Sequence, residues 1–471
     1  MSSLQLRSAP RKWSSTSIAD VAVKHHSAMS PVGKKFLLLQ GPMGPFFRRL
    51  ADDLLVAGAA LVDKVNFNGG ERYYFPAAID YNGPLSEFGR FLNNLISKSS
   101  YDKIVLFGDT RPMHLIARQV AAEHGIKLVV FEEGYLRPHF ITCEVGGVNG
   151  FSSIPRDPEF YRCFPVIKRH HQVGSGKKFN PLPFAWFHAW KYGYEMRKAR
   201  PEFPHYQHNR VLTWREGFRW VGWTLKKKVL KRGSDKKKLD DFFVSNGKKF
   251  FVPLQVANDS QVTHHSRFIS VAEFIEWCIG EFATHAPADA CLLVKHHPLD
   301  PHNNYARLIR RAAKRFNCQE RVCYVVEGHL PTILQRADGV LTINSTVGLS
   351  ALHHGCPTCV AGESIYEMTG LATNDVKRFF AAPSLFRPDR ELFARFKSYL
   401  ILKNQAVGSF YLPLSRKRGE TGLVWPQAVK ISKRPALVKK KCIRKSNLLW
   451  QLIVAFAAAI TLSQMLEDFW P

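Results

Sequence analysis

Acidic side chains are scarce in this chain: 38 Asp and Glu stand against 67 Lys and Arg, a formal net charge of +29 over 471 residues. That imbalance calls for a polyanionic partner: nucleic acid, an anionic membrane face, or acidic glycan and nucleotide substrates. A cysteine framework is also missing. The nine cysteines are scattered, which argues against a disulfide scaffold and for a reducing compartment. Residues 1–26 are polar and basic and lack the apolar core of a secretory signal, so the catalytic part is expected in the cytoplasm. Repeats and low-complexity tracts are absent. Apolar residues are not lacking: 45% hydrophobic and 12% aromatic exclude a disordered tail-binder and allow full cores for two domains plus a tail.

Residues 1–33 read as a flexible leader. From Lys34 the pattern is α/β. Phe36–Gln40, Lys103–Phe107 and Lys127–Phe131 are short apolar runs of buried-strand type, with amphipathic helices expected near Phe46–Gly58 and Met113–His124. A second block starts at Phe250–Leu254 and continues through Cys291–Lys295, Val322–Val326, Val340–Ile343 and Pro357–Ala361. Strand–helix–strand units at this spacing imply parallel sheets. The expected fold is two Rossmann-like domains facing a cleft, at 34–160 and 249–410.

Between them, residues 161–248 carry Trp186, Trp190, Trp214, Trp220 and Trp223 interleaved with cations, then Lys226-Lys-Lys228 and Lys236-Lys-Lys238. Aromatics beside cations describe a membrane-surface patch. The same composition suits single-stranded nucleic acid or a partly buried helical insert with a solvated face. In the tail, 411–471, basic clusters precede the apolar stretch Leu448–Leu466, which has the length of a spanning helix but is interrupted by polar residues. An anchor and an interfacial helix both remain open.

Two segments carry the chemistry of a phosphate site. Leu292-Leu-Val-Lys-His-His-Pro298 is a strand running into Lys295, His297 and Pro298, and Gly339-Val-Leu-Thr-Ile-Asn-Ser-Thr-Val-Gly348 is a strand running into Asn344, Ser345 and Thr346. A helix start there would aim N–H groups and hydroxyls at one spot, and His297 could donate to the same phosphate. A capped helix and a surface histidine explain either segment alone. Together they favour a nucleotide-sugar site. In the first block, Phe131-Glu-Glu-Gly134 puts Glu132 and Glu133 at a strand end, where a carboxylate can take a proton from an acceptor or attack an anomeric carbon. The plainer reading is an acidic N-cap or a salt bridge to Arg137.

Six collinear motifs go further: Gln40-Gly-Pro-Met-Gly-Pro-Phe-Phe47, Phe107-Gly-Asp-Thr-Arg-Pro112, Glu132-Glu-Gly-Tyr-Leu-Arg-Pro138, Val252-Pro-Leu-Gln255, Lys295-His-His-Pro298 and Asn344-Ser-Thr-Val-Gly348. Over residues 34–410 they resemble the bacterial capsule polysaccharide biosynthesis family, and within it the KpsS/LipB-like β-Kdo transferases. The resemblance implies a GT-B-like fold, CMP-Kdo as donor, and a phosphatidylglycerol-type lipid or lipid-linked glycan as acceptor at the inner-membrane face. It also implies that His297, Ser345 and Thr346 hold the CMP phosphate, with Lys295 neutralising it or the Kdo carboxylate. Glu133 would be the catalytic carboxylate, as nucleophile or base, with Glu132 as fallback. Relatives often carry Asp at the Glu133 position, so identical geometry is not assumed. Arg111, Arg137 and Gln255 are candidates for the donor carboxylate or the acceptor, and Gly41 and Gly44 for close backbone approach to a ligand.

No metal or other cofactor is expected. His353-His-Gly-Cys-Pro-Thr-Cys359 lacks the second ligand pair of a zinc site, and Asn258-Asp259 with His264-His265 reads as a loop facing the cleft. Similar acidic-Gly and His-Pro motifs occur in bacterial sialyltransferases, so a different CMP-sugar is the nearest alternative. A non-catalytic partner in capsule assembly or export is the alternative of another class. Nucleic acid is not expected, because the cations cluster beside tryptophans and an apolar tail.

Overall fold

Apolar residues in the strand runs alternate between two cores. The computed structural model describes residues 30–136, 140–167, 182–208, 232–257, 259–300, 303–413 and 420–423. Most of the leader, Arg137, Trp214, Trp220, Trp223, the 226–228 cations, Asn258 and the 448–466 stretch lie outside them. The first sheet runs in the order β12-β6-β5-β4-β1-β2-β3. Its strands are β1 (Lys35–Leu38), β2 (Leu61–Asn66), β3 (Ile79–Asp80), β4 (Lys103–Phe107), β5 (Lys127–Glu133), β6 (Phe140–Val145) and β12 (Gln405–Val407). The second runs β11-β10-β7-β8-β9, from β7 (Lys249–Pro253), β8 (Cys291–Lys295), β9 (Val322–Val325), β10 (Gly339–Thr342) and β11 (Thr358–Val360). Its described pairings are all parallel.

Successive side chains of a strand point to opposite faces, so a strand covered on both sides must be apolar throughout. Phe36, Leu38, Val105 and Val129 pack on one face with Phe46, Leu50 and Leu54 of α1 (Phe46–Val56). Leu37, Ile104, Leu106 and Val130 pack on the other with Phe88 and Leu92 of α3 (Leu85–Ser99) and Ala117 and Val120 of α4 (Pro112–Glu123). Between α1 and α3 a short helix, α2 (Gly69–Tyr74), follows β2. The second sheet is covered likewise, by clusters around Phe250, Leu292 and Leu341 on one face and Phe251, Leu293 and Val340 on the other.

The expected α/β organisation is therefore present, and three details were not legible in the sequence. Strand β2 contains Asp63 and Lys64, and Lys64 is buried through an ion pair with Glu71 at 3.0 Å. Strand β6 turns back antiparallel to β5. Strand β12, at the end of the second block, pairs antiparallel with β6 in the first sheet. The helix before it, Arg390–Lys403, packs Phe396 and Leu400 with Tyr135 of the first domain, Tyr161 at the start of the insert and Tyr366 of the second domain. Residues 390–407 thus tie the two domains together. The insert contributes α5 (Leu182–Lys198), docked against α2. No helix among the described residues is long and apolar enough to cross a membrane.

Candidate active site

Strand order builds one wall of the cleft. β8, β7 and β10 are adjacent and parallel, so the residues after their carboxyl ends share one sheet edge, where open α/β sheets bind ligands. That edge carries Gln255, the Lys295–Pro298 segment and Asn344–Thr346. Gln255 is buried, and its Nε2 donates to Asn344 Oδ1 at 3.2 Å while its Oε1 accepts from Asn344 N at 3.4 Å. Gln255 also donates to Asp259 Oδ2 at 3.3 Å. Asn344 donates to the carbonyl oxygens of Gln261 (2.9 Å) and His265 (3.2 Å). Gln255 and Asn344 therefore hold the loop shape.

The His-His pair divides. His296 is buried, with Nε2 2.6 Å from Asp300 O and Nδ1 3.0 Å from the Tyr324 hydroxyl. His297 is half-buried, and its Nδ1 accepts the Leu299 N–H at 3.0 Å. In the neutral ring the proton then sits on Nε2. At the other segment, two N–H groups expected to face a ligand are used within the turn: Val347 N donates to Ser345 Oγ (3.2 Å) and Gly348 N to Ser345 O (2.9 Å). Ser345 thus serves the turn, while Thr346 lines the cleft. A β-carbon on Gly348 would meet the Tyr366 hydroxyl at 2.1 Å, so any other residue there would have to displace that buried ring.

The opposite wall repeats the logic. β1, β4 and β5 are neighbours and parallel, which places Gln40–Gly44, Gly108–Arg111 and Glu132–Gly134 at one edge. Glu132 Oε1 accepts the Glu133 N–H at 3.0 Å. Burial pushes the Glu132 carboxyl up to about 7; that hydrogen bond and Arg111 pull it down, and the Glu133 and Asp109 charges push it further up. Glu133 Oε1 accepts from the Tyr411 hydroxyl at 3.3 Å. The two carboxylates thus differ in environment, as acid and base roles require. A β-carbon on Gly134 would lie 2.2 Å from Phe140 O, so only glycine lets the chain reverse into β6.

Arg111 donates to Gly41 O at 3.3 Å and lies over the Phe107 ring at 5.5 Å. Gly41 N donates to Glu71 Oε1 at 3.0 Å, the atom that also accepts from Lys64. The close approaches of Gly41 and Gly44 are to side chains of this chain, Phe47 and His188 respectively. Sequence reasoning missed Lys64 and Glu71, because a charged pair in a strand–helix unit reads as surface until the fold buries it.

The walls meet. Tyr135 and Asn149 of the first domain line one crevice with Asn344, Thr346, Glu363 and Tyr366 of the second. Beside it, His265 is 1% exposed, and its ring stands 4.8 Å from that of Phe151 across the domain boundary. Burial lowers the His265 pKa, with Asp109 and Glu363 opposing. His265, expected from sequence in a loop facing the cleft, is an interdomain contact. Cys356 and Cys359 are buried after Gly355, whose φ of +72° ends its helix, and among the described residues no group of three His, Cys, Asp or Glu could hold a metal ion.

A family model described as "Capsule polysaccharide biosynthesis protein" matches residues 102–411, a span that holds both carboxylates and the whole second wall. The chain belongs to the capsule polysaccharide biosynthesis family. Among members, it is 38% identical over 389 residues to the capsule polysaccharide export protein KpsS of Escherichia coli, covering 80% of this chain and 97% of that one. It is 37% identical over 398 residues to the capsule polysaccharide modification protein LipB of Neisseria meningitidis serogroup A, covering 80% and 92%. Among solved structures, the β-Kdo 2,7 transferase of Thermosulfurimonas dismutans KpsC aligns over 83% of this chain and 96% of that one, at 14% identity and a TM-score of 0.41.

Proposed function

We propose that this family member is a glycosyltransferase that moves β-Kdo from CMP-Kdo to a phosphatidylglycerol-type lipid or a lipid-linked glycan in capsule biosynthesis. The observation that supports the reading is one crevice lined by Tyr135 and Asn149, which follow the carboxylate pair in the chain, and by Asn344 and Thr346 of the second sheet edge. Lys295 and the Nε2–H of His297 would neutralise the CMP phosphate as it leaves, and the Thr346 hydroxyl would donate to it. Arg111 would face the Kdo carboxylate. Glu133 would either attack the anomeric carbon as CMP departs, so that the acceptor oxygen, giving its proton to solvent, then displaces the carboxylate with retention, or take the acceptor proton directly. Glu132, pushed up to about 7, can keep its proton near neutral pH and lend the pair one charge instead of two.

The test is incubation of the full chain with CMP-Kdo or CMP-sialic acid and defined lipid acceptors, with mass spectrometry of the products. A Kdo adduct on the lipid, lost by roughly 10²–10⁴-fold in Glu133→Gln, is the expected result. A sialyl adduct would transfer the reading to the other CMP-sugar. The E. coli relative is called an export protein, which favours a second reading as a non-catalytic partner in capsule assembly or export. Normal capsule in cells carrying Glu133→Ala would establish that reading instead.

A further inference from the structure

Helix α5 has two opposed faces. The inner one is set by contacts: Asn68 Nδ2 donates to the Tyr192 hydroxyl at 2.7 Å, and His188 Nδ1 lies 2.9 Å from the Tyr74 hydroxyl. A β-carbon on Gly70 would come within 2.6 Å of Tyr192 O, and one on Gly69 within 2.5 Å of Glu195 O. Positions 188, 192 and 195 therefore form the docked stripe. At 3.6 residues per turn, positions two further on lie about 200° around the helix. Those positions are Trp190, Tyr194 and Arg197. Trp190 is 43% exposed and Tyr194 47%, their rings stack at 6.2 Å with 21° between planes, and Arg197 and Lys198 are exposed beside them.

A lone exposed aromatic needs no explanation, but a ring pair continuous with cations is an interaction surface. Tyr and Trp favour the headgroup level of a bilayer, with an apolar body inward and a polar edge in water. Arg and Lys next to them favour anionic lipid, and a chain of net charge +29 is attracted to such a surface as a whole. The inner face of the same helix walls a crevice lined by Gly41, Gly44, Arg48, Tyr74 and Tyr192. A bilayer on the outer face would thus lie about one helix diameter, ~10 Å, from that crevice.

We propose that the Trp190–Tyr194–Arg197–Lys198 face of α5 is the surface on which this protein lies against an anionic bilayer, setting the Gly41–Tyr74 crevice at headgroup height. The proposal rests on the reading that the acceptor is a lipid. Its test uses the full chain without donor, sedimented with vesicles of phosphatidylcholine alone or mixed with phosphatidylglycerol. Selective binding to the anionic vesicles is expected, weakening with salt. Arg197→Gln/Lys198→Gln should lower partitioning by about fivefold per charge, roughly 25-fold together. Trp190→Ser/Tyr194→Ser should lower it by about tenfold or more at low and high salt alike. Thermal unfolding at the wild-type midpoint confirms that both variants fold. Equal binding to both vesicle types, or variants that bind like wild type, would overturn the surface. Transfer to detergent-dispersed lipid is measured separately: its presence without vesicle binding sinks this proposal alone, and its absence with selective binding sinks only the transferase reading.

Discussion

Gly150 of the first domain and His265 of the second pack so closely that a β-carbon on the glycine would lie 2.2 Å from His265 Nδ1 and 2.6 Å from Glu363 Oε2. The domain boundary beside the cleft closes on a hydrogen atom. Gly150→Ala should therefore force the Asn149–Phe151 turn away from His265 and cost about 1–3 kcal/mol, measured by denaturant unfolding. Gly233→Ala is the control: it lies in a helix with nothing within 4 Å of the added carbon and should stabilise by about 0.5–1 kcal/mol.

Glu132 makes stability depend on pH in a stated direction. Its folded pKa is raised to about 7 from an ordinary 4.5, with burial the largest cause. Whatever stability the neutral carboxyl supports is fully present below about 4.5 and is lost as pH rises through about 7. Glu132→Gln keeps an oxygen that can accept the Glu133 N–H and removes the charge. The variant should exceed wild type at pH 8 by on the order of 1 kcal/mol, discounted for solvent around a half-buried group. The difference should vanish near pH 4, with Tm against pH as the readout.

The Lys64–Glu71 pair is 2% and 4% exposed on its two side chains, and burial lowers the lysine pKa while Glu71 opposes. Removing one partner strands the other charge, so Lys64→Ala should cost about 3–5 kcal/mol. Glu71→Ala strands Lys64 in the same way and also removes the acceptor of the Gly41 N–H, held at 3.0 Å, and faster amide exchange at Gly41 would register that. Unchanged exchange would mean the loop is held by its other contacts.

Because His297 Nδ1 accepts the Leu299 N–H, the proton offered to a phosphate sits on Nε2. In the proposed reaction His297→Ala should raise the KM for CMP-Kdo by about 10-fold or more, at one charge-assisted hydrogen bond of ~1.5–3 kcal/mol. His297→Gln, which keeps an N–H donor, should recover part of it. Equal defects in kcat alone would assign His297 to chemistry instead.

Much of this arrangement was readable in the strands. Runs such as Lys103–Phe107 and Cys291–Lys295 are apolar at consecutive positions, which only a doubly covered parallel strand requires, and polar motifs at their carboxyl ends follow from that. What was not readable depends on distant partners. Lys64 in β2 looks exposed until Glu71 is placed 3.0 Å away. That the Ser345 oxygens also shape the turn, by accepting from Val347 and Gly348, shows only in the fold. His265 looks like a loop residue until Phe151 closes over it.

The scarcity of acids, the apolar runs and the six ordered motifs are local properties of the chain, and by themselves they determined the two-block α/β plan and the family. Tertiary structure alone decided which of those polar residues share an edge and which serve the fold. The reason is physical: strand order and register are set by packing between residues hundreds of positions apart, as when Gln405 pairs with Thr142. A carboxylate such as Glu132 acquires its raised pKa only from the neighbours that packing brings.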